Sequence, residues 1–485
     1  MMHWLGALYL LGSFAIFVRA FGLVEKSRKV VAVTGSSLAL IRNPALDDEQ
    51  KEAALRRDAL LLFRLFFVLA LGGAAALLVP AALIWSGDQF GVVSLEAVLR
   101  TTVSPTFLIG GTLLAFVVFS PRHRRRGGKS PYTSTERLLH RLAFGTRPAQ
   151  VAVADLEDRL FAKELAPLET DRPVFITALP RAGTTLLLEC CARLPEFATH
   201  SYRDMPFVLT PCLWSRFASR FRQNGEMKER AHGDGMQVSP DSPEAFEELL
   251  WMAFWRKHYR HDRIVPWQPE NRDEFDDFLR NHMRKIIFLR RGPAAPARYL
   301  SKNNANIARV GYLRLLFPQA LLIVPFRDPL QHAASLWRQH RRFKAIHAED
   351  RFAADYMKGV GHFEFGANLR PIDFDGWLDR RTSEDPNGLP FWIEYWIVAY
   401  RSLLEGSGRR PVFLDFDALC RAPGPGLGAF AHAAQVRHAG AMAEAARAIR
   451  PPRPHEVDHG PIPPALLAQA AETHARLVRI AANRS

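Results

Sequence analysis

The sequence predicts an α/β chain: a parallel sheet flanked by helices, preceded by an N-terminal region of three transmembrane helices. Three observations predict it. Long apolar runs crowd into the first 130 residues. From Pro173 onward, short apolar runs alternate with helical patterns, as a parallel sheet requires. The first of those runs ends in a Gly-containing turn that opens a helix, which is where a phosphate-binding loop belongs.

The chain has 485 residues, 48% of them hydrophobic and 23% charged. That composition excludes a disordered or collagen-like chain. Four cysteines exclude a disulfide scaffold. Cys190 and Cys191 are adjacent, while Cys212 and Cys420 stand alone, so no zinc pattern of paired cysteines exists. The thiols read as reduced residues of a reducing compartment. The net charge is +15, and residues 1–130 carry 15 Lys+Arg against 8 Asp+Glu. The excess is therefore concentrated beside apolar runs, which favours a membrane surface over nucleic acid as its partner.

The first apolar run spans about residues 4–24, with Arg19 near one end, where it can snorkel. The second spans about 60–85, and the third, about 103–119, begins at a tolerated Pro105. About 20 apolar residues cross a bilayer core. Lys26, Arg28 and Lys29 follow the first run and nothing basic precedes it, which is an anchor's pattern rather than a cleaved signal's. Seven basic residues lie between the first two runs, and Arg122, Arg124, Arg125, Arg126 and Lys129 follow the third. Both basic segments are expected on the cytoplasmic side, with a multi-pass chain in the inner membrane and the large C-terminal part inside. Residues 1–126 form this membrane region, 127–150 read as a polar linker, and 151–485 as the soluble domain.

In that domain Val174–Leu179 reads as a buried strand and Thr184–Leu194 as the helix after it. Asp241-Ser-Pro-Glu244 reads as a helix start, the helix running to about Lys257. Ile307–Phe317 is expected to be helical. Leu321–Phe326 reads as a second buried strand and Leu330–His340 as its helix. Phe391–Leu404 reads as a helix and Pro411–Phe416 as a late strand.

The segment Ala178-Leu-Pro-Arg-Ala-Gly-Thr-Thr185 lies between strand and helix and is P-loop-like. Against the pattern Gly-x-x-x-x-Gly-Lys-(Ser/Thr), Ala178 replaces the first Gly and Gly183 keeps the second. Thr184 replaces the Lys, and Thr185 keeps the hydroxyl. The loop retains an anion cradle of backbone N–H groups. It lacks the lysine that serves nucleoside triphosphates, and has Arg181 instead. Arg327 ends the second strand, and Ser335 lies two turns into the next helix. A strand-end Arg and an early-helix Ser can together clamp a second phosphate.

Together these segments resemble the sulfotransferase superfamily, whose donor is 3′-phosphoadenosine 5′-phosphosulfate (PAPS). Pro180-Arg-Ala-Gly-Thr-Thr185 looks like its 5′-phosphosulfate loop, Pro-(Arg/Lys)-Ser-Gly-Thr-Thr, departing at Ala182; Arg327 and Ser335 have the spacing of its 3′-phosphate site. Lys302-Asn-Asn-Ala-Asn306, followed by Phe317-Pro and the Arg-Asp-Pro strand end, resembles bacterial members. The resemblance covers about residues 170–430.

The resemblance implies that Pro180, Arg181, Ala182, Gly183, Thr184 and Thr185 hold the 5′ side of the donor, that Arg327 and Ser335 hold its 3′-phosphate, and that Lys302 approaches the sulfuryl group or the nucleotide. It implies Arg181 as the cation that stabilises the leaving phosphate, and an acidic or imidazole base for a hydroxyl acceptor. In several branches an acid follows the first helix after the loop, so Asp204 is the expected base, with His200 next. His232, Glu244, Glu247 and Glu248 are further candidates, and His332 and His340 flank Ser335. No cluster of His, Cys, Asp or Glu has metal spacing, so no metal is expected. The anchor suggests a lipid or a lipid-linked glycan as acceptor. Two readings remain beside this one. A phosphotransferase is supported by the Walker-B-like Val412-Phe-Leu-Asp415, and a non-catalytic membrane scaffold by Ala178 and Ala182. No nucleic-acid partner is expected, and the sequence leaves the oligomeric state open.

Overall fold

The computed structural model describes most of residues 2–102 and 140–483; the longest stretches outside the description are 38–47, 108–139, 219–227, 230–236 and 451–461. Most of the expected third span, the basic cluster after it, much of the expected linker, His232 and the prolines after Arg450 lie outside the described residues. The chain divides into two compact units, Met1–Gly127 and Gly128–Ser485.

The first unit is built on α1 (Met2–Ala20) and α2 (Asp48–Gln89). Among the described residues these are the two helices long and apolar enough to cross a membrane, over His3–Ala20 and Ala54–Gln89. Three were expected; the described residues carry two. α2 starts well before the apolar run at Leu60 because the preceding residues are good helix formers such as Glu49, Ala53 and Ala54. A small residue lets the two helical segments approach: a Cβ on Gly72 would lie 2.7 Å from Leu23. Leu60, Phe63, Phe66, Leu71, Leu77 and Leu78 are each more than 60% exposed. So large an apolar face is the mark of an interaction surface.

The second unit is an α/β layer structure. Its sheet comprises β1 (Val174–Ile176), β2 (Phe197–Ala198), β3 (Arg298–Lys302), β4 (Leu321–Phe326) and β5 (Val412–Asp415). The order is β2-β3-β1-β4-β5, and every pairing is parallel. Alternation along the strands feeds two cores. Val174, Ile176, Leu300 and Ile323 face one, while Phe175, Tyr299, Leu322 and Val324 face the other. Helices cover both faces, among them α3 (Thr184–Ala192), α4 (Asp273–Arg291), α5 (Pro329–Glu349), α6 (Leu389–Glu405) and α7 (Pro464–Ala482).

The helix expected from Asp241 begins instead at Glu248. Pro243 forms a β-bridge to Ser201, and the Glu244 N–H bonds to the His200 carbonyl, so residues 243–244 are held extended. The strands β2 and β3 and the helix α4 escaped the sequence reading. The chain after residue 450 ends in α7, which packs on α6 through Arg401 and Thr473 and meets Phe326 through His474.

Candidate active site

Three neighbouring strands, β3, β1 and β4, end at the same edge of the sheet, and ligands of parallel sheets bind at that edge. Lys302 closes β3, the loop 178–183 follows β1, and Arg327 follows β4. The sequence separates these three pieces, and the strand order brings them side by side.

The loop turns on two residues in the left-handed region, Arg181 at φ +70° and Gly183 at φ +93°. Gly183 is also the N-cap of α3, so the first N–H groups of the helix are presented to whatever the loop encloses. Ala178 and Ala182 are fully buried and lie outside the left-handed region, so alanine at these positions strains nothing. Arg181 is exposed, and its Nε lies 3.4 Å from the Ser335 hydroxyl.

Arg327 is buried and firmly oriented. Its Nε donates to Asp417 at 3.1 Å, and Nη1 reaches the Arg181 carbonyl at 3.4 Å. Its guanidinium lies 6.0 Å from the centre of the Phe416 ring. Asp328 does not pair with it; the Asp328 carboxylate instead caps α5, accepting from the Gln331 N–H. Beneath the loop, His332 Nε2 donates to the Pro180 carbonyl at 2.7 Å, and Nδ1 accepts from the Trp396 indole at 3.1 Å. Burial pushes the His332 pKa down to about 3, so the ring is neutral and its tautomer is set. His340 donates no such strut: its Nδ1 accepts from the Gly366 N–H.

A cleft opens beside the loop. Its outer part is lined by Arg181, Thr184, Thr185, Lys302, His362 and Glu364. Its inner part shares Lys302, Asn304, His362 and Glu364, and adds Glu248, Asn303 and Arg370 beside apolar residues such as Ile264, Leu336 and Trp392. The Thr184 hydroxyl donates to Asn304 Oδ1 at 3.2 Å, and Asn304 Nδ2 donates to Glu364 Oε1 at 3.3 Å. Glu364 Oε2 lies 3.3 Å from His362 Nδ1. Burial alone would raise the Glu364 pKa, but His362 and Lys302 outweigh it and hold the carboxyl below its usual range. Among the described residues no group of three or more His, Cys, Asp or Glu is placed to hold a metal ion.

Residues 173–364 match the sequence model of the Sulfotransferase family. This segment belongs to the sulfotransferase superfamily. Similar solved structures include a sulfotransferase of Mycobacterium avium, 15% identical, with a TM-score of 0.41 over 76% of this chain and 89% of that one. A sulfotransferase of Mycobacterium tuberculosis is 13% identical, with a TM-score of 0.39 over 74% and 91%. The sulfotransferase domain of a Synechococcus olefin synthase is 14% identical, with a TM-score of 0.27 over 65% and 94%. No protein of curated function matches the chain. Sulfuryl transfer, a transferase chemistry, is the general activity that this match supports.

The second unit brings the loop residues, Lys302, Arg327 and Ser335 to one end of the sheet. Asp204 and His200 do not join them. Asp204 is 3% exposed and is gripped by Arg290 at 2.5 and 2.6 Å, by the Ser201 N–H and by His200 Nδ1. His200 in turn abuts His282, Nε2 to Nε2 at 3.3 Å. Neither residue lines the cleft beside the loop. Their segment follows β2 at the sheet's edge, and β3 stands between β2 and the loop's own strand.

Glu244, Glu247 and Glu248 are all buried. Glu248 holds Arg309 through two 2.7 Å bonds, with Tyr259 and Asn303 on its remaining lone pairs. Asp415 of the Walker-B-like strand caps the helix that follows, accepting from the Ala418 N–H. Sequence reasoning missed Asp417, Phe416, Asn304, His362 and Glu364.

Proposed function

We propose that the chain moves a sulfuryl group from 3′-phosphoadenosine 5′-phosphosulfate to a hydroxyl or amine acceptor, a lipid or lipid-linked glycan, at the cytoplasmic face of a membrane. One observation carries the donor assignment: Arg181 meets both Ser335, through its Nε, and Arg327, through its carbonyl, each at 3.4 Å. In this reading the N–H groups of Gly183, Thr184 and Thr185 hold the 5′-phosphate at the helix N-terminus. Arg181, with Lys302 across the cleft, meets the charge that develops on the leaving phosphate. Arg327 and Ser335 hold the 3′-phosphate, the group that separates this donor from ATP. The reaction as proposed uses no metal. The two long apolar helices, with their exposed Phe and Leu faces, support the membrane part of the reading.

The test is calorimetric titration of the full chain in detergent with 3′-phosphoadenosine 5′-phosphate, against ADP and ATP. The expected result is micromolar binding of the bisphosphate, with ADP and ATP at least tenfold weaker and the preference lost in Arg327→Ala. Equal or tighter binding of ATP overturns the donor assignment in favour of a phosphotransferase. Binding of the bisphosphate without transfer to any membrane acceptor favours the scaffold.

A further inference from the structure

A second cavity, of about 390 Å³, shares Leu369, Arg370 and Pro371 with the inner part of the cleft. Leu378 and Phe391 give it apolar walls. Among the described residues four cations line it, Arg263, Lys358, Arg370 and Arg381, against one carboxylate, Asp262. The transfer proposed above gives none of them a task.

The four cations are not equivalent. Arg263 is answered: Nε donates to Asp262 at 2.9 Å, Nη1 to Asp373 at 2.9 Å, and the guanidinium grips Asp379 through bonds of 2.8 and 2.9 Å. That takes up the cavity's carboxylate. Among the described residues the other three cations have no ion pair. Arg381 donates Nη1 to the Leu378 carbonyl, while its Nε is buried with no hydrogen-bond partner. Arg370 is half-buried and lays its guanidinium 4.5 Å from the centre of the Phe363 ring. Burial lowers its pKa, and Asp262 offsets that only in part. Lys358 is exposed beside them. Cations held partly out of water without an anion are costly, and a bound anion removes that cost. The planar guanidinium fork matches phosphate in particular.

We propose that this cavity is a second anion site, separate from the donor site, and that it takes a phosphate group borne on an apolar carrier, as in a lipid. Arg370 and Arg381 grip the phosphate, Lys358 adds charge, and Leu378 and Phe391 meet the first carbons of the carrier. The donor site's cations, Arg181, Lys302 and Arg327, do not line this cavity. The shared wall of Leu369, Arg370 and Pro371 sets the ligand next to the cleft. A lipid phosphate also suits a chain with two helices apolar enough to cross a membrane. The proposal does not depend on the identity of the sulfuryl donor.

Calorimetric titration of the full chain in neutral detergent tests it, with hexyl phosphate as the probe against inorganic phosphate and hexanol. Hexyl phosphate is expected to bind about tenfold more tightly than inorganic phosphate, because its carbons leave water. Hexanol is expected to bind more weakly than either. The affinity for hexyl phosphate is expected to be the same in protein saturated with 3′-phosphoadenosine 5′-phosphate, and the same in Arg327→Ala. Arg370→Gln and Arg381→Gln are each expected to weaken it about tenfold or more. Lys358→Gln changes an exposed side chain, guards against a folding defect, and is expected to weaken it about threefold. Hexyl phosphate that is displaced by the bisphosphate, or lost in Arg327→Ala, sits in the donor site and overturns the proposal. So does a wild-type chain that does not bind it, or wild-type affinity in all three Gln variants. Inorganic phosphate bound as tightly as hexyl phosphate overturns the apolar carrier, and hexanol bound as tightly overturns the anion. Failure of the bisphosphate to bind sinks the donor reading alone, since the three Gln variants still decide this one.

Discussion

The Cβ that Gly183 lacks would fall 2.1 Å from Cε2 of Phe416. The ring thus sits against the backbone of the donor loop, and the Arg327 guanidinium lies 6.0 Å from its centre. One aromatic side chain therefore borders both halves of the proposed donor site. Gly183→Ala faces two costs. The left-handed backbone at φ +93° costs an L-residue about 1–2 kcal/mol. The new methyl must also displace the ring. We expect at least a tenfold loss of bisphosphate affinity and a lower Tm, read by calorimetry and thermal melting. In the double variant Gly183→Ala, Phe416→Leu, the clash is relieved and the backbone cost remains, so Tm recovers only in part. Full affinity in Gly183→Ala would show that the loop does not form the site.

His332 ties stability to pH. Its folded pKa lies at about 3, below the unfolded value of about 6.5. Between those values the unfolded chain binds a proton and the folded one does not, so stability falls as the pH falls through this window. The loss approaches about 1.4 kcal/mol per pH unit well below pH 6. In His332→Gln that contribution to the slope disappears, and at neutral pH the variant is less stable by about 1–3 kcal/mol, because the bonds to Pro180 and Trp396 are lost or bent. Urea unfolding between pH 4 and 8 measures both. An unchanged slope in the variant refutes the assignment of a buried neutral strut.

The loop and the Arg327–Ser335 pair were legible because each is local: a strand end, a turn and the first turns of a helix, all within eight residues. What supports them was not local. His332 reaches Pro180 across 152 residues, Arg327 reaches Asp417 across 90, and Asn304 reaches Glu364 across 60. Such pairs exist only once the strand order is set. The surroundings of Asp204 were hidden for the same reason. Its position after the first helix suggested the site, but β2 lies at the sheet's edge, beyond β3. Lys302 is the intermediate case. The Asn-rich block after it was readable, while β3, which aims it, was not, because Arg298-Tyr-Leu-Ser-Lys302 carries charge at both ends.

The grip of Arg290, His200 and the Ser201 N–H on Asp204 predicts that it acts on stability. Burial would raise its pKa, but the bonds and charges of His200 and Arg290 outweigh burial and hold it below the usual carboxylate range. Its contribution is therefore present above about pH 4 and lost as the pH falls through the depressed folded value. Asp204→Asn leaves Arg290 half-paired in a largely buried place and is expected to cost about 3 kcal/mol. Sulfate release per folded molecule should stay at the wild-type rate. A hundredfold loss of rate in a fully folded variant would return Asp204 to the role of base.

Asp417 sets the direction of Arg327, and it lies beyond the segment that matches the family. Asp417 also accepts the Asp328 N–H at 2.8 Å, so it ties the start of α5 to the Arg that precedes it. Asp417→Asn keeps the shape and removes the charge. The Arg loses a charge-assisted bond, worth about 1.5–3 kcal/mol. We expect bisphosphate affinity to fall about tenfold, with ADP affinity unchanged, because ADP lacks the 3′-phosphate. Calorimetry with the two nucleotides decides it. Equal losses for both would mean that Arg327 does not read the 3′ position.

The exposed face of α2 makes the last prediction. Leu71 and Leu78 are 68% and 67% exposed on a helix with a 36-residue apolar window. In water such a face would drive association, whereas in a bilayer it is the favourable surface. A carboxylate near the centre of a spanning helix costs about 2.5–3.5 kcal/mol on insertion scales. Two of them, in Leu71→Glu, Leu78→Glu, outweigh much of the gain from the apolar window. The double variant is expected to move from the carbonate-resistant membrane fraction toward the soluble and aggregated fractions, while wild-type chain stays membrane-bound. Tm of the second unit, followed through bisphosphate-dependent stabilisation, should not change, because α2 belongs to the other compact unit. A wild-type chain released by carbonate would refute the spanning reading of α2 and leave its apolar face to be explained by a protein partner.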